Sequence, residues 1–224
     1  MINYSYPIDA ILLLGPTGVG KSPLGASLAR HGLFERHCRH LDFGLELRLA
    51  VSYRECSIAY SKDELNFIQG VLERGLLLEN EHFSLAEKII SLFLNRTGFS
   101  QKDILILNGI PRHAGQAKDM AKIADVHALI VLDCTAEDVY NRIKYNVGGD
   151  RTERIDDNKE LIEKKIEIFR ERTEPLIEHY EKSGRRIFRI CVSDDMPAEN
   201  MYQAVSLLAA TNPPVTLVTE PPQR

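Results

Sequence analysis

Short apolar runs alternate with longer amphipathic stretches along most of this chain. Ala10–Leu14, Ile104–Leu107, Ala128–Leu132 and Ile187–Ile190 have the length of buried strands, and a further short strand is predicted near His40–Leu41. Between them, apolar residues recur at helical spacing over Lys21–His31, Ser61–Arg74, Ser84–Leu94, Gly115–Ile123, Ala136–Ile143, Asn158–Ser183 and Ala198–Ala209. Continuous apolar strands separated by helices predict an α/β fold, with a parallel sheet sandwiched in a three-layer α/β/α arrangement. Within Asn158–Ser183, Asp157 or Asn158 can cap the start, Gly184 can close the end, and Pro175 must kink or split the helix.

At 224 residues, with 44% hydrophobic and 27% charged positions, the chain reads as one soluble domain spanning 1–210. Residues 211–224 differ: Pro213, Pro214, Pro221 and Pro222 predict an extended tail. A net charge of −4 argues against a nucleic-acid partner. No apolar run is long enough to span a membrane, and no secretory signal is visible. The four cysteines have no C-x-x-C spacing and read as small buried hydrophobes. A cytoplasmic monomer is the resulting expectation.

Residues 15–22 read Gly-Pro-Thr-Gly-Val-Gly-Lys-Ser, fitting G-x-x-x-x-G-K-[ST] between a predicted strand and a predicted helix. In that context successive backbone N–H groups form an anion nest, to which the helix N-terminus adds positive charge. Gly15, Thr17, Gly18, Val19 and Gly20 would cradle the phosphates of a nucleoside triphosphate. Lys21 would reach the β- and γ-phosphates, and the Ser22 hydroxyl would serve Mg²⁺. Pro23 removes one N–H at the start of this helix.

A second constellation follows the strand at 104–107: Asn108-Gly109-Ile110-Pro111-Arg112, then Gln116-Ala117. Ligands gather at the carboxyl ends of parallel strands, so this turn and the glycine-rich loop would share an edge. An arginine there offers a planar fork to an anion.

These segments resemble the adenylate kinase family, or nucleoside monophosphate kinases more broadly. Residues 108–112 are similar to that family's D-G-F-P-R. His40 to Arg48 is similar to its h-x-S-T-G-D-x-x-R, Arg154 to Asn158 to its R-x-D-D-N, and Thr173 to Tyr180 to its T-x-P-L-I-x-x-Y. The resemblance implies ATP and Mg²⁺ as cofactors and an anionic acceptor, a nucleoside monophosphate such as AMP. It implies a helical acceptor-binding insertion at about 38–75 and a short lid at about 144–156. In it, Arg48 and Arg112 would hold the acceptor phosphate, with Phe43, Gly44 and Gly109 beside them, while Gln116 would read the acceptor base. Arg142 would stack on the donor base. Lys21, Arg112, Arg151, Arg154 and Lys165 would carry transition-state charge.

The departures have chemical content. Asn108 stands where the family has an aspartate that orders Mg²⁺ through water, so a neutral amide replaces a charge. Phe43 replaces a small hydroxyl residue and either stacks on a base or plugs its pocket; Leu45 replaces an acidic residue. Asn146 takes the place of a lid arginine, with Arg151 nearby, and Lys165 puts a point charge where a guanidinium fork is usual. Two other readings therefore stand beside the kinase: a nucleotide-binding protein with little or no turnover, and a P-loop kinase for another small anionic acceptor.

Overall fold

The computed structural model describes residues 7–53, 58–150 and 159–212. Its strands are β1 (Ile8–Leu14), β2 (Cys38–Asp42), β3 (Ile104–Asn108), β4 (Ala124–Asp133) and β5 (Arg186–Cys191). All pair in parallel in the order β2-β3-β1-β4-β5. Each crossover carries helix: α1 (Lys21–His31) after β1; α2 (Phe43–Ser52), α3 (Lys62–Arg74) and α4 (Phe83–Thr97) after β2; α5 (Ala114–Met120) after β3. Beyond β4 come α6 (Ala136–Lys144), α7 (Lys159–Ile168), a π-helical segment at Phe169–Thr173 and α8 (Pro175–Lys182). Helix α9 (Ala198–Thr211) follows β5.

Side-chain alternation builds the layers. On β1, Ala10, Leu12 and Leu14 enter a core shared with α2, α3, α4, α5 and α8, whereas Ile11 and Leu13 enter a second core under α1 and α9. The central strands are buried on both faces, which is why they read as unbroken apolar runs. On β4 the pairing with β1 skips His127, so Val126 and Leu129 share one face despite odd spacing. The bulged His127 ring lies 2.8 Å from Asp9, which also receives Arg36 at 2.8 Å. This ion cluster sits at the sheet end opposite the strand carboxyl termini.

Several predicted boundaries move. Strand β4 starts at Ala124, because the bulge hides its first half from the periodic pattern. Helix α5 stops at Met120, and the chain turns so that Ile123 C=O accepts from Ile8 N–H and leads into β4. The predicted helix over 158–183 is three pieces, with Pro175 the first residue of α8. Gly184 takes the left-handed conformation expected there (φ 75°). Helix α2 falls within the expected helical insertion but not among the helices read from periodicity; Asp42 caps it by accepting from Leu45 N–H at 3.0 Å, and its buried Glu46 pairs with Arg96. Helix α9 continues through Thr211, whose hydroxyl donates back to Leu207 C=O; the tail from residue 213 lies outside the described residues. Cys38 is buried and burial pushes its thiol up to about 12, but Cys191 is exposed because β5 is an edge strand. No helix among the described residues is long and apolar enough to cross a membrane.

Candidate functional site

The turns leaving β1, β2 and β3 open onto one cleft at the carboxyl edge of the sheet. The β1–α1 loop needs its glycines for space as well as for angle. At Gly18 (φ 82°) a Cβ would stand 2.6 Å from Ile143, and at Gly20 (φ 112°) 2.8 Å from Met201. Gly15, Thr17, Gly18, Gly20, Lys21 and Ser22 line the cleft. Val19 does not: its side chain is fully buried in the α1–α9 core, so any part it takes in phosphate binding is its backbone's. Lys21 Nζ donates to the carbonyls of Gly15 and Pro16 at 2.7 and 2.6 Å, folded back along its own loop.

Ser22 lies in a polar corner between β2 and β3. Its hydroxyl donates to Asp42 Oδ2 in a short hydrogen bond. Asn108 Nδ2 donates to Ser22 Oγ and to Asp42 Oδ2, each at 3.2 Å, and lies 3.3 Å from His40 Nε2. Burial alone would raise the Asp42 pKa. The Ser22 hydroxyl, His40, the Leu45 N–H and Arg48 outweigh it and hold the carboxyl below its usual range. Burial pushes His40 down against the pull of Asp42, favouring the neutral imidazole.

Arg112 follows the cis Ile110–Pro111 peptide bond and turns half-buried into the cleft. Its backbone is clamped at both ends: its N–H donates to Gln116 Oε1 at 2.8 Å, and its carbonyl accepts from the buried Thr173 hydroxyl at 2.9 Å. Among the described residues, nothing pairs with its guanidinium. Desolvation pushes it from 12.5 down to about 10, which leaves it a cation at neutral pH.

Arg48, Gly44, Gly109 and Lys165 share this cleft with Arg112. Leu47, Val71, Leu72 and Leu76 line an apolar side of it.

Two expected roles change, those of Arg142 and Gln116. Arg142 is 2% exposed and donates to the carbonyls of Ser193 at 2.7 Å and Met196 at 2.9 Å. It holds the β5–α9 loop because several carbonyls converge there, and it offers no open face to a base. Gln116 is likewise buried, donating to Leu78 C=O at 2.7 Å while accepting from Arg112 N–H; it ties the Pro-Arg turn to the segment after α3. Phe43 is 4% exposed and forms part of the core at the start of α2, so it walls the pocket from inside. Segment 38–42 of the expected insertion is a sheet strand, because its backbone pairs with β3 along all five residues; the helical part begins at Phe43. Arg151 and Arg154 lie outside the described residues, as does the expected lid segment beyond residue 150. The described start of that segment packs Gly148 against the Pro23 ring.

The sequence reading gave no role to Asp42 or Thr173. Asp42 had a usable signal: it is the last residue of a strand whose carboxyl end had to lie near the glycine-rich loop. Thr173 opens the T-x-P-L-I-x-x-Y resemblance, but its contact is with a backbone carbonyl 61 positions away, which the sequence does not mark.

No family model matches the chain. An adenylate kinase of Haloarcula marismortui is 25% identical over 196 residues, covering 76% of this chain and 83% of that protein. One of Rickettsia typhi is 26% identical, covering 87% and 97%. One of Synechococcus sp. (strain CC9311) is 30% identical over 180 residues, covering 78% and 85%. A solved gluconokinase from Sinorhizobium meliloti 1021 shares the fold, with a TM-score of 0.53 at 12% identity over 92% of this chain and 94% of that one. With a glycine-rich phosphate loop at the carboxyl edge of a parallel sheet, and 30% identity over most of a curated relative, this chain belongs to the adenylate kinase family.

Proposed function

We propose that this protein transfers the γ-phosphoryl group of ATP to a nucleoside monophosphate. The observation that carries the reading is Arg112: a cation held in the cleft, with no carboxylate partner among the described residues, on the same sheet edge as the phosphate loop. Such a group is costly to desolvate and becomes favourable once an anion occupies the cleft.

The residues divide the work. Backbone N–H groups of residues 15–22 and the N-terminus of α1 bind the donor phosphates. Lys21 exchanges its loop carbonyls for phosphate oxygens as the donor enters. Arg48 and Arg112 orient the acceptor phosphate, and the apolar wall at Leu47, Val71 and Leu72 takes the acceptor's base. Lys165 faces the same space and balances charge as the phosphoryl group moves. Transfer of this kind depends on positioning and charge neutralisation rather than covalent chemistry. The hard oxygen donors around Ser22 suit Mg²⁺, which would neutralise charge on the transferring phosphates when bound.

A coupled assay for ADP release, with MgATP and each of AMP, CMP, UMP and GMP, tests the reading. Turnover with a monophosphate, abolished in Lys21→Ala, is the expected result. ATP binding without turnover on any monophosphate would overturn the assigned acceptor.

A further inference from the structure

Asp42 and Asn108 are direct cross-strand partners at the carboxyl ends of β2 and β3. Both reach the same hydroxyl, and they do so in complementary ways. Ser22 donates its proton to the Asp42 carboxylate, while the Asn108 amide donates to both. A serine whose proton is committed to a carboxylate keeps oxygen lone pairs for a cation. In P-loop proteins the nucleotide's Mg²⁺ is held by the loop Ser/Thr together with an acidic residue. Position 108 offers no acid. Across the strand pair, position 42 does.

We infer that Asp42, on β2, supplies the carboxylate charge for the divalent cation of the nucleotide complex, and that Asn108 holds Asp42 and Ser22 in register for it. This rests on the ATP-dependent reading above. The geometry favours it over a purely structural role in two ways. The Asp42 carboxylate divides its oxygens, with Oδ1 capping α2 at Leu45 N–H and Oδ2 turned to Ser22. Asp42, Ser22 and Asn108 all line the phosphate-loop cleft. One carboxylate and one hydroxyl, with phosphate oxygens and water completing the shell, is the sharing that Mg²⁺ prefers. The substitution of Asn for an acid at position 108 is then a relocation of charge by one strand, not its loss.

The test reads metal affinity rather than turnover. Mn²⁺ binding to the protein saturated with a non-hydrolysable ATP analogue is measured by electron paramagnetic resonance, and analogue binding without metal is measured in parallel. Asp42→Asn keeps an oxygen to cap α2, so the fold is preserved. It should weaken Mn²⁺ binding roughly 10–100-fold while leaving metal-free analogue binding in place. The reciprocal pair Asp42→Asn with Asn108→Asp returns a carboxylate to the corner and should recover much of the loss. Unchanged Mn²⁺ affinity in Asp42→Asn overturns the inference, and so does a loss that the reciprocal pair does not relieve. If the wild-type protein binds the analogue neither with nor without metal, the ATP-dependent reading itself fails and takes the inference with it.

Discussion

Replacing Arg112 with methionine keeps a flexible side chain against the walls of the cleft and removes its charge. The guanidinium has no partner among the described residues, and desolvation pushes it from 12.5 to about 10. A cation whose pKa falls on folding is penalised at every pH below the folded value, and the penalty fades as pH rises from about 10 towards 12.5. At 1.36 kcal/mol per pKa unit, the penalty at pH 7 is at most about 3 kcal/mol. The group is half-buried and borders open cleft, so solvent screening brings the expected gain for Arg112→Met to about 1–3 kcal/mol. For a chain of this size each kcal/mol moves Tm by roughly 2–4 °C. Urea denaturation at pH 7, in a buffer free of multivalent anions, reads this directly. The midpoint should rise with the slope unchanged, and added AMP should stabilise the wild-type protein but not the variant. A variant less stable than wild type without anions would refute the reasoning, because Arg112 would then be contributing packing or hydrogen bonds rather than waiting for a ligand.

Arg142→Met should destabilise the fold by about 2–4 kcal/mol, since it strands the carbonyls of Ser193 and Met196 and frees the β5–α9 loop. Hydrogen exchange confined to residues 193–196 and a lower denaturation midpoint check it. Thr173→Val removes the hydroxyl that holds the Arg112 carbonyl. Stability should fall by about 1 kcal/mol, and the acceptor KM should rise more than kcat changes. Asp9 is a structural counterpart at the far end of the sheet. Burial alone would raise its pKa, but His127 and Arg36 outweigh it and hold the carboxyl low. Its stabilisation is therefore present above its ordinary value near 3.8 and is lost as pH falls through the lower folded value. Asp9→Asn should lower stability at pH 7 and flatten the acid limb of a stability–pH curve, leaving nucleotide binding unchanged.

The fold was legible because its signals are local. Apolar runs of strand length survive on β1 and β3, where both faces are buried, and the phosphate loop announces the first crossover. What blurred was set by partners distant in sequence. The bulge at His127 breaks the β4 pattern and is stabilised by Asp9, 118 residues away. The site was legible in residue type and less so in use. Gln116 and Arg142 have the hydrogen-bonding capacity of ligand contacts, but both spend it on carbonyls that converge only in the folded chain. A sequence carries a side chain's capacity; it does not carry where unpaired carbonyls will meet.

The same distinction separates Arg112 from several arginines of the charged surface. Arg36, Arg96, Arg172 and Arg189 each reach a carboxylate, which neutralises them locally. Among the described residues Arg112 reaches none, and its backbone is clamped by two side chains, Gln116 and Thr173. Fixing the backbone of a cation that has no partner among the described residues would be self-defeating if only stability were at stake, because a freer segment could carry the side chain to water. It is consistent with a site in which the arginine's position matters more than its solvation, as phosphoryl transfer requires. Two described carboxylates line the cleft, Asp42 and Asp150, and Asp42 is turned to Ser22 rather than to Arg112. The cleft thus holds the Asp42 carboxylate beside the Ser22 hydroxyl and, apart from it, the Arg112 guanidinium with no partner among the described residues, and that asymmetry is what the proposed anionic acceptor and metal-bound donor need.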